Sequence, residues 1–231
     1  MNYLKKISLL LITLIAFTSC SSDDDNAVVP QPQNIVEIAL DSPDLSSLVA
    51  ALTAADGDLV NVLLGDGPFT VLAPTNEAFA TFLAANNFES LEEVPTDVLS
   101  QILLNHVIMA NVTASDLTTA GAGYTNTSAS GPNNNAMSLY FNTSDGVTFN
   151  GVSTVSTADI EASNGTIHIV DAVIGIPTVV TFALADTNNF STLVAALTTL
   201  TPSTDFVSVL SDTSAEFTVF APTNDAFAAI T

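Results

Sequence analysis

Apolar positions along this chain repeat first at helical and then at strand spacing. Leu45, Leu48, Val49 and Leu52 recur at i, i+3, i+4 and i+7 behind Pro43, which predicts a helix with Ser42 as its cap. Phe69–Ala73 is a short β-prone run, and Pro74-Thr75-Asn76 then turns the chain into a second helix carrying Ala78, Phe79, Phe82 and Leu83. In that turn Pro fixes φ, the Thr hydroxyl can cap the helix, and Asn can bond nearby backbone. Thr96 is the expected cap of a third helix through Val98, Leu99, Ile102 and Leu103. From Val107 onward the pattern is extended. Leu139/Phe141 and Val147/Phe149 alternate with polar residues across a Thr143–Gly146 turn, and Ile167–Val170 follows an Asn164-Gly165 turn. Helices first and strands later predict an α+β domain, with the last strands pairing with Phe69–Ala73 to close the sheet.

This pattern begins a second time. FTVLAPTNEAFA at Phe69–Ala80 returns as FTVFAPTNDAFA at Phe217–Ala228, with only Leu72/Phe220 and Glu77/Asp225 exchanged. Ile35–Leu40 aligns with Val179–Leu184, and Ser46–Thr53 with Ser191–Thr198. The unit of organisation is a duplicated domain: a first copy at 34–177 and the N-terminal part of a second at 178–231. The second copy holds no counterpart of Ile167–Ile174. Thr231 is therefore not expected to be a natural domain end, and 178–231 alone is not expected to fold stably.

Three segments carry a resemblance. FTVLAPTNEAFA, LLNHVI at Leu103–Ile108 and SNGTIHIVDAVIGIP at Ser163–Pro177 resemble the signature segments of the fasciclin (FAS1) domain family, in the family's order and spacing. The resemblance implies a fasciclin-like wedge of β-strands flanked by helices, with the second copy truncated. It also implies tandem domains on extracellular or membrane-anchored proteins that mediate adhesion. Pro74, Thr75, Asn76, His106, Asn164, Gly165 and His168 fall in these segments as fold-signature residues. In animal members an Asp-Ile dipeptide just before the Asn-Gly segment is associated with integrin-dependent adhesion. Asp159-Ile160 occupies that place here, which makes the pair the adhesion candidate.

The N-terminus changes the picture of where such a domain sits. Lys5 and Lys6, an apolar run at Ile7–Phe17, and small residues before Cys20 have the layout of a secretory signal. The only Cys of the chain follows it, as in a bacterial lipoprotein, so Cys20 is expected to be lipidated after removal of residues 1–19. Residues 20–33, with SSDDDNAVVPQPQ behind that Cys, read as a disordered acidic tether. The Ser and the Asp run resemble an export signal to the outer face of a Gram-negative outer membrane. The expected location is thus lipid-anchored to the outer membrane, at the cell surface.

Composition narrows the partners. Both basic residues are Lys5 and Lys6, against 24 carboxylates. Phosphate binding requires cations that displace counterions, so nucleic acid is excluded. Direct adsorption to anionic headgroups is disfavoured, leaving the lipid anchor as the membrane contact. Expected partners are an extracellular protein or glycan, or a second copy of the chain. A glycan- or nutrient-capture module beside an outer-membrane transporter is the alternative, and exposed aromatics in a groove would favour it.

Chemistry is not expected. His106 reads as a buried, hydrogen-bonded imidazole, and His168 points opposite to Ile167 and Ile169. No His pair at ligand spacing, no G-x-S-x-G and no Gly-rich phosphate loop occur. Asp56-Gly57-Asp58, Asp66-Gly67 and Asp145-Gly146 do not fit the D-x-[DN]-x-[DN]-G calcium loop, and turn chemistry accounts for them. No cofactor, metal or catalytic residue is assigned, and the Asn-x-Ser/Thr triplets are not read as glycosylation sites.

Overall fold

The structure, a computed structural model, describes residues 31–131, 134–199, 204–213 and 215–230. The signal segment, Cys20 and the tether up to residue 30 lie outside the described residues.

The first helix, α1 (Ile35–Asp41), starts from a capping box: Asn34 Oδ1 accepts from the Glu37 amide at 3.0 Å and Glu37 Oε2 accepts from the Asn34 amide at 2.8 Å. A 3-10 turn at Pro43–Leu45 leads into α2 (Ser46–Ala54) and α3 (Leu59–Leu63). The anticipated Ser42 cap is not formed; its hydroxyl instead donates back to the Ile38 carbonyl at 2.7 Å and ends α1. Strand β1 (Phe69–Pro74) runs into α4 (Asn76–Ala85), where Thr75 Oγ1 accepts from the Ala78 amide as its sequence position predicts. The next helix is α5 (Thr96–Leu104). Thr96 is its first residue rather than its cap, and its hydroxyl donates to Asp56 Oδ2 at 2.7 Å.

Strands then dominate: β2 (Val107–Ile108), β3 (Ala122–Ser130), β4 (Ala136–Asn142), β5 (Thr148–Phe149), β6 (Ser153–Ala162) and β7 (Gly165–Val170). One helix, α6 (Ala114–Ala120), interrupts them with its own Thr113–Asp116 capping box, which the extended reading from Val107 onward does not contain. The sheet order is β2-β1-β7-β6-β5-β4-β3. Only β1 and β7 are parallel, in register from Phe69↔Gly165 to Pro74↔Val170, and the other neighbours are antiparallel. This is an α+β fold with a mixed seven-stranded sheet, and β7 closes onto β1 as the sequence predicts.

Strand alternation makes two cores. Phe69, Val71 and Ala73 of β1 and Ile167 of β7 face the helical layer, among Leu45, Leu48, Leu63, Phe79 and Leu99. Leu72 and Val170 point the other way, into Ile108, Leu117, Leu139, Phe141, Phe149 and Ile174. All six residues of β1 are buried, as expected of a strand with both faces and both edges covered. The sheet curls around the second core until β3 meets β2, where Ser128 Oγ donates to the Val107 carbonyl at 3.2 Å.

Beyond residue 177 lie α7 (Val179–Ala185), α8 (Thr187–Thr198), α9 (Phe206–Leu210) and α10 (Asn224–Ala228). None of their described residues is buried. Residues 217–222 form no strand, although they differ from β1 only at Phe220. Phe217, Val219 and Phe220 are 38, 40 and 92 % exposed, where Phe69, Val71 and Leu72 are 4, 4 and 0 % exposed. A strand is stable only when neighbours take its backbone groups and its apolar face. Among the described residues, 217–222 has neither.

Candidate functional site

The signature residues are joints between elements. Asn164 is 7 % exposed and sits in the turn between β6 and β7. Its Oδ1 accepts from the Ile35 amide at 3.0 Å, while Nδ2 donates to the Leu63 and Gly65 carbonyls at 2.7 and 2.8 Å. Its own carbonyl accepts from the Phe69 amide at 3.1 Å. Its side chain ties the start of α1 and the end of α3 to the β6–β7 turn, and its backbone carbonyl adds the start of β1. Gly165 follows because a Cβ there would lie 2.0 Å from the Phe69 carbonyl oxygen. Only a residue without one lets β7 approach β1.

Asn76 does not bond backbone nearby in sequence. It reaches the N-terminus of α2, accepting from the Ser47 amide at 2.8 Å and donating to the Pro43 carbonyl at 2.9 Å. Asn224 repeats the clamp on α8, with the Thr192 amide at 2.9 Å and the Asn188 carbonyl at 2.8 Å. Pro74 ends β1, where the Thr75 amide donates to the Val170 carbonyl at 3.2 Å.

Neither imidazole is available for chemistry. His106 is 2 % exposed. Its Nδ1 lies 2.7 Å from the Ile102 carbonyl, and its Nε2 accepts from the Ile174 amide at 2.9 Å. That pair of partners suits the neutral ring protonated on Nδ1. Burial lowers its pKa to about 4, against a smaller upward pull from the Ile102 carbonyl. His168 is 1 % exposed; its Nε2 lies 2.9 Å from the Val112 carbonyl and its Nδ1 accepts from the Asp159 amide at 3.1 Å. The Asp159 carboxylate stands 4.0 Å from that nitrogen, beyond hydrogen-bond reach. Both rings connect segments of backbone, which leaves no lone pair for a serine hydroxyl or a metal ion.

Asp159 and Ile160 occupy an irregular stretch of β6 where its register with β7 shifts. Asp159 takes φ +58°, a conformation that Asp and Asn adopt more readily than most residues. Its Oδ1 accepts from the Ala114 amide at 2.9 Å, at the start of α6. Ile160 pairs with Ile167 and packs against the helical core. The dipeptide is therefore built into the fold, while the carboxylate itself stays exposed. It borders a cleft of about 400 Å³ shared with Asp66, Asn111, Thr113 and Glu161. Among the described residues no three carboxylate, thiol or imidazole groups converge as a metal site would require. Asp58 and Asp56 serve in turns: Asp58 Oδ2 accepts from Asn61 at 2.6 Å and Asp56 from Thr96.

The tyrosines give one aromatic cluster. Tyr124 is 53 % exposed and meets Tyr140 at 5.2 Å and Phe182 of α7 edge-on at 5.6 Å. Tyr140 is 3 % exposed, so two exposed rings able to stack on one sugar are not brought together here. Burial and the nearby Asp186 carboxylate raise the Tyr124 pKa. What sequence reasoning missed is the reach of Asn76 and Asn164; both fall in turns, where an Asn reads as a local bond.

Comparison with known proteins agrees with this geometry. The Fasciclin domain model matches residues 43–177 and again 188–231. Protein sll1483 of Synechocystis sp. is 37 % identical over 165 residues, which cover 69 % of this chain and 86 % of that protein. Periostin of Homo sapiens is 33 % identical over 189 residues, or 80 % of this chain and 20 % of periostin. Among solved structures, a FAS1 domain pair from the insect cell adhesion molecule Fasciclin I shares the fold, with a TM-score of 0.50 at 21 % identity. That match covers 81 % of this chain and 62 % of the insect chain. Matched by the family model across most of its length, the chain belongs to the fasciclin (FAS1) domain family.

Proposed function

We propose that this protein is a cell-surface, non-enzymatic adhesion or interaction module. Cys20 carries the lipid anchor, residues 20–33 form the tether, and the domain at 34–177 presents its surface to an extracellular protein or glycan. The observation that carries the reading is the engagement of both imidazoles by backbone. These are the groups best suited to proton transfer near neutral pH, so what the fold has left to offer is surface. Family membership supplies the adhesive direction, since the solved relative named above is a cell adhesion molecule.

The exposed carboxylate of Asp159, beside Asp66 and Glu161, is the proposed contact region. Asp159→Asn keeps an oxygen for the Ala114 amide and tolerates the left-handed backbone, so it removes charge and leaves the α6 joint. The test is adhesion of cells displaying the protein to matrix proteins and glycans, before and after protease shaving. Shaving is expected to remove both protein and adhesion, and Asp159→Asn to weaken adhesion several-fold without shifting the unfolding midpoint. Protein protected from protease would overturn the surface location. Adhesion unchanged by Asp159→Asn would remove Asp159 from the contact.

A further inference from the structure

Two imidazoles of nearly equal burial differ in one neighbour. His106 and His168 each bond backbone through both ring nitrogens. Burial dominates at His106 and lowers its pKa to about 4. His168 instead has the Asp159 carboxylate 4.0 Å from Nδ1. Because that nitrogen accepts from the Asp159 amide at 3.1 Å, the neutral ring carries its proton on Nε2 and donates it to the Val112 carbonyl. A second proton, taken from solvent, has only Nδ1 to occupy. The ring N–H and the Asp159 N–H then point at each other, and the bond between them is lost. The carboxylate of the same residue is the acceptor within reach. Moving from 4.0 Å to about 2.8 Å closes a charge-assisted hydrogen bond. To do so, Oδ1 gives up the Ala114 amide, which it now holds at 2.9 Å at the start of α6. The backbone is already irregular at this point, with φ +58° at Asp159 and a register shift against β7 between Thr157 and Ile160.

A buried imidazolium persists only when it is paired and hydrogen-bonded. The other charges on the elements around His168 have the sign that favours it. Glu161 on β6, Asp116 on α6 and Asp66 ahead of β1 are exposed carboxylates. Strands β1 and β2 and residues 109–113 carry no titratable side chain, and no Lys or Arg follows Lys6.

We infer that His168 and Asp159 form an acid-sensitive switch, in which a proton taken up on His168 Nδ1 exchanges the Asp159 amide for the Asp159 carboxylate. The exchange turns that carboxylate away from the cleft it borders and releases the start of α6. The Asp159 side chain, 45 % exposed, lies between the ring and solvent and gives the proton its way in. The consequence for adhesion rests on Asp159 being the contact proposed above: acid withdraws the charge that the partner meets.

The test is nitrogen NMR of the full chain, which has only two imidazoles to resolve, with hydrogen exchange at the Asp159 amide. At about pH 7.5 the His168 ring is expected neutral with its proton on Nε2, and toward about pH 5 it gains the second proton. His106 stays neutral over this range and serves as the internal reference. In step with His168, the Asp159 amide should exchange about tenfold faster after correction for the intrinsic rate. In Asp159→Asn the ring should keep its neutral signature at the pH where the wild-type ring has gained its proton. Wild-type adhesion should fall several-fold over the same range, and the residual adhesion of Asp159→Asn should not. A His168 ring still neutral at about pH 5 overturns the switch. So does protonation that leaves the Asp159 amide protected, or that Asp159→Asn does not alter. Adhesion equal in wild type and Asp159→Asn at neutral pH removes the contact instead, while the ring and amide readouts still decide the switch.

Discussion

Asn164 bonds the Ile35 amide and the Leu63 and Gly65 carbonyls from a site only 7 % exposed. Removing its side chain leaves those groups without partners, each at a cost of about 1–3 kcal/mol when buried. Asn164→Ala is expected to lower stability by about 2–4 kcal/mol, read from urea unfolding followed by circular dichroism. His106 makes a similar joint with a pH dependence. Its folded pKa of about 4 lies below the ordinary 6.5, so the unfolded chain binds the proton more readily. Its contribution is therefore complete above pH 6.5 and is lost as pH falls toward 4. At about 1.4 kcal/mol per pH unit, the whole loss approaches about 3 kcal/mol. His106→Gln lacks this titration, so the stability gap between the wild type and the variant should shrink by about 2 kcal/mol between pH 7 and pH 4.5. The comparison cancels the carboxylates common to both proteins. A gap that stays constant would show that His106 is not a neutral buried ring.

At the scale of elements, β1 and 217–222 are a controlled comparison within one chain. Five of six residues are identical, yet one segment is a central strand and the other is exposed coil. Local sequence does not decide between them; β2 and β7 do. The helices were legible where apolar spacing was regular, as in α2, α4 and α5. The β4–β5 and β6–β7 turns were legible from their turn residues. The helix α1 was not, because Ile35, Val36, Ile38, Ala39 and Leu40 form a nearly continuous apolar run without clear period, and its Asn34–Glu37 box lies beside the tether. The helix α6 was hidden by β-branched and polar residues inside a strand-rich region. The clamp residues separate the two copies experimentally. Asn76→Ala should cost about 1–3 kcal/mol, since the Ser47 amide and Pro43 carbonyl lose their partner. Asn224→Ala should leave the global midpoint unchanged, because no described residue of α8 or α10 is buried.

For the whole molecule, charge and closure set the behaviour. Net charge is −22, and no Lys or Arg follows Lys6, so the described surface repels itself without cationic relief. Screening shortens that repulsion to about 8 Å at ~0.15 M salt. Raising NaCl from about 10 to about 150 mM, the latter the physiological range, is therefore expected to raise the urea midpoint. A midpoint that falls with salt would mean that attraction dominates the surface. The fold class and the closing strand were legible from three segments because they occupy the most constrained joints. The Asp159-Ile160 pair was legible as a position, whereas its bond to the α6 amide and the partial burial of Ile160 follow from tertiary packing that no dipeptide encodes. The central claim is that, among the described residues, β1 is a closed central strand of a fasciclin domain whereas the nearly identical 217–222 finds no strand partner. Hydrogen exchange with mass spectrometry on the full chain, comparing amides 69–74 with 217–222, tests it most directly. The account predicts slow exchange in the first segment and exchange near the unfolded rate in the second. Equal protection of the two would contradict it.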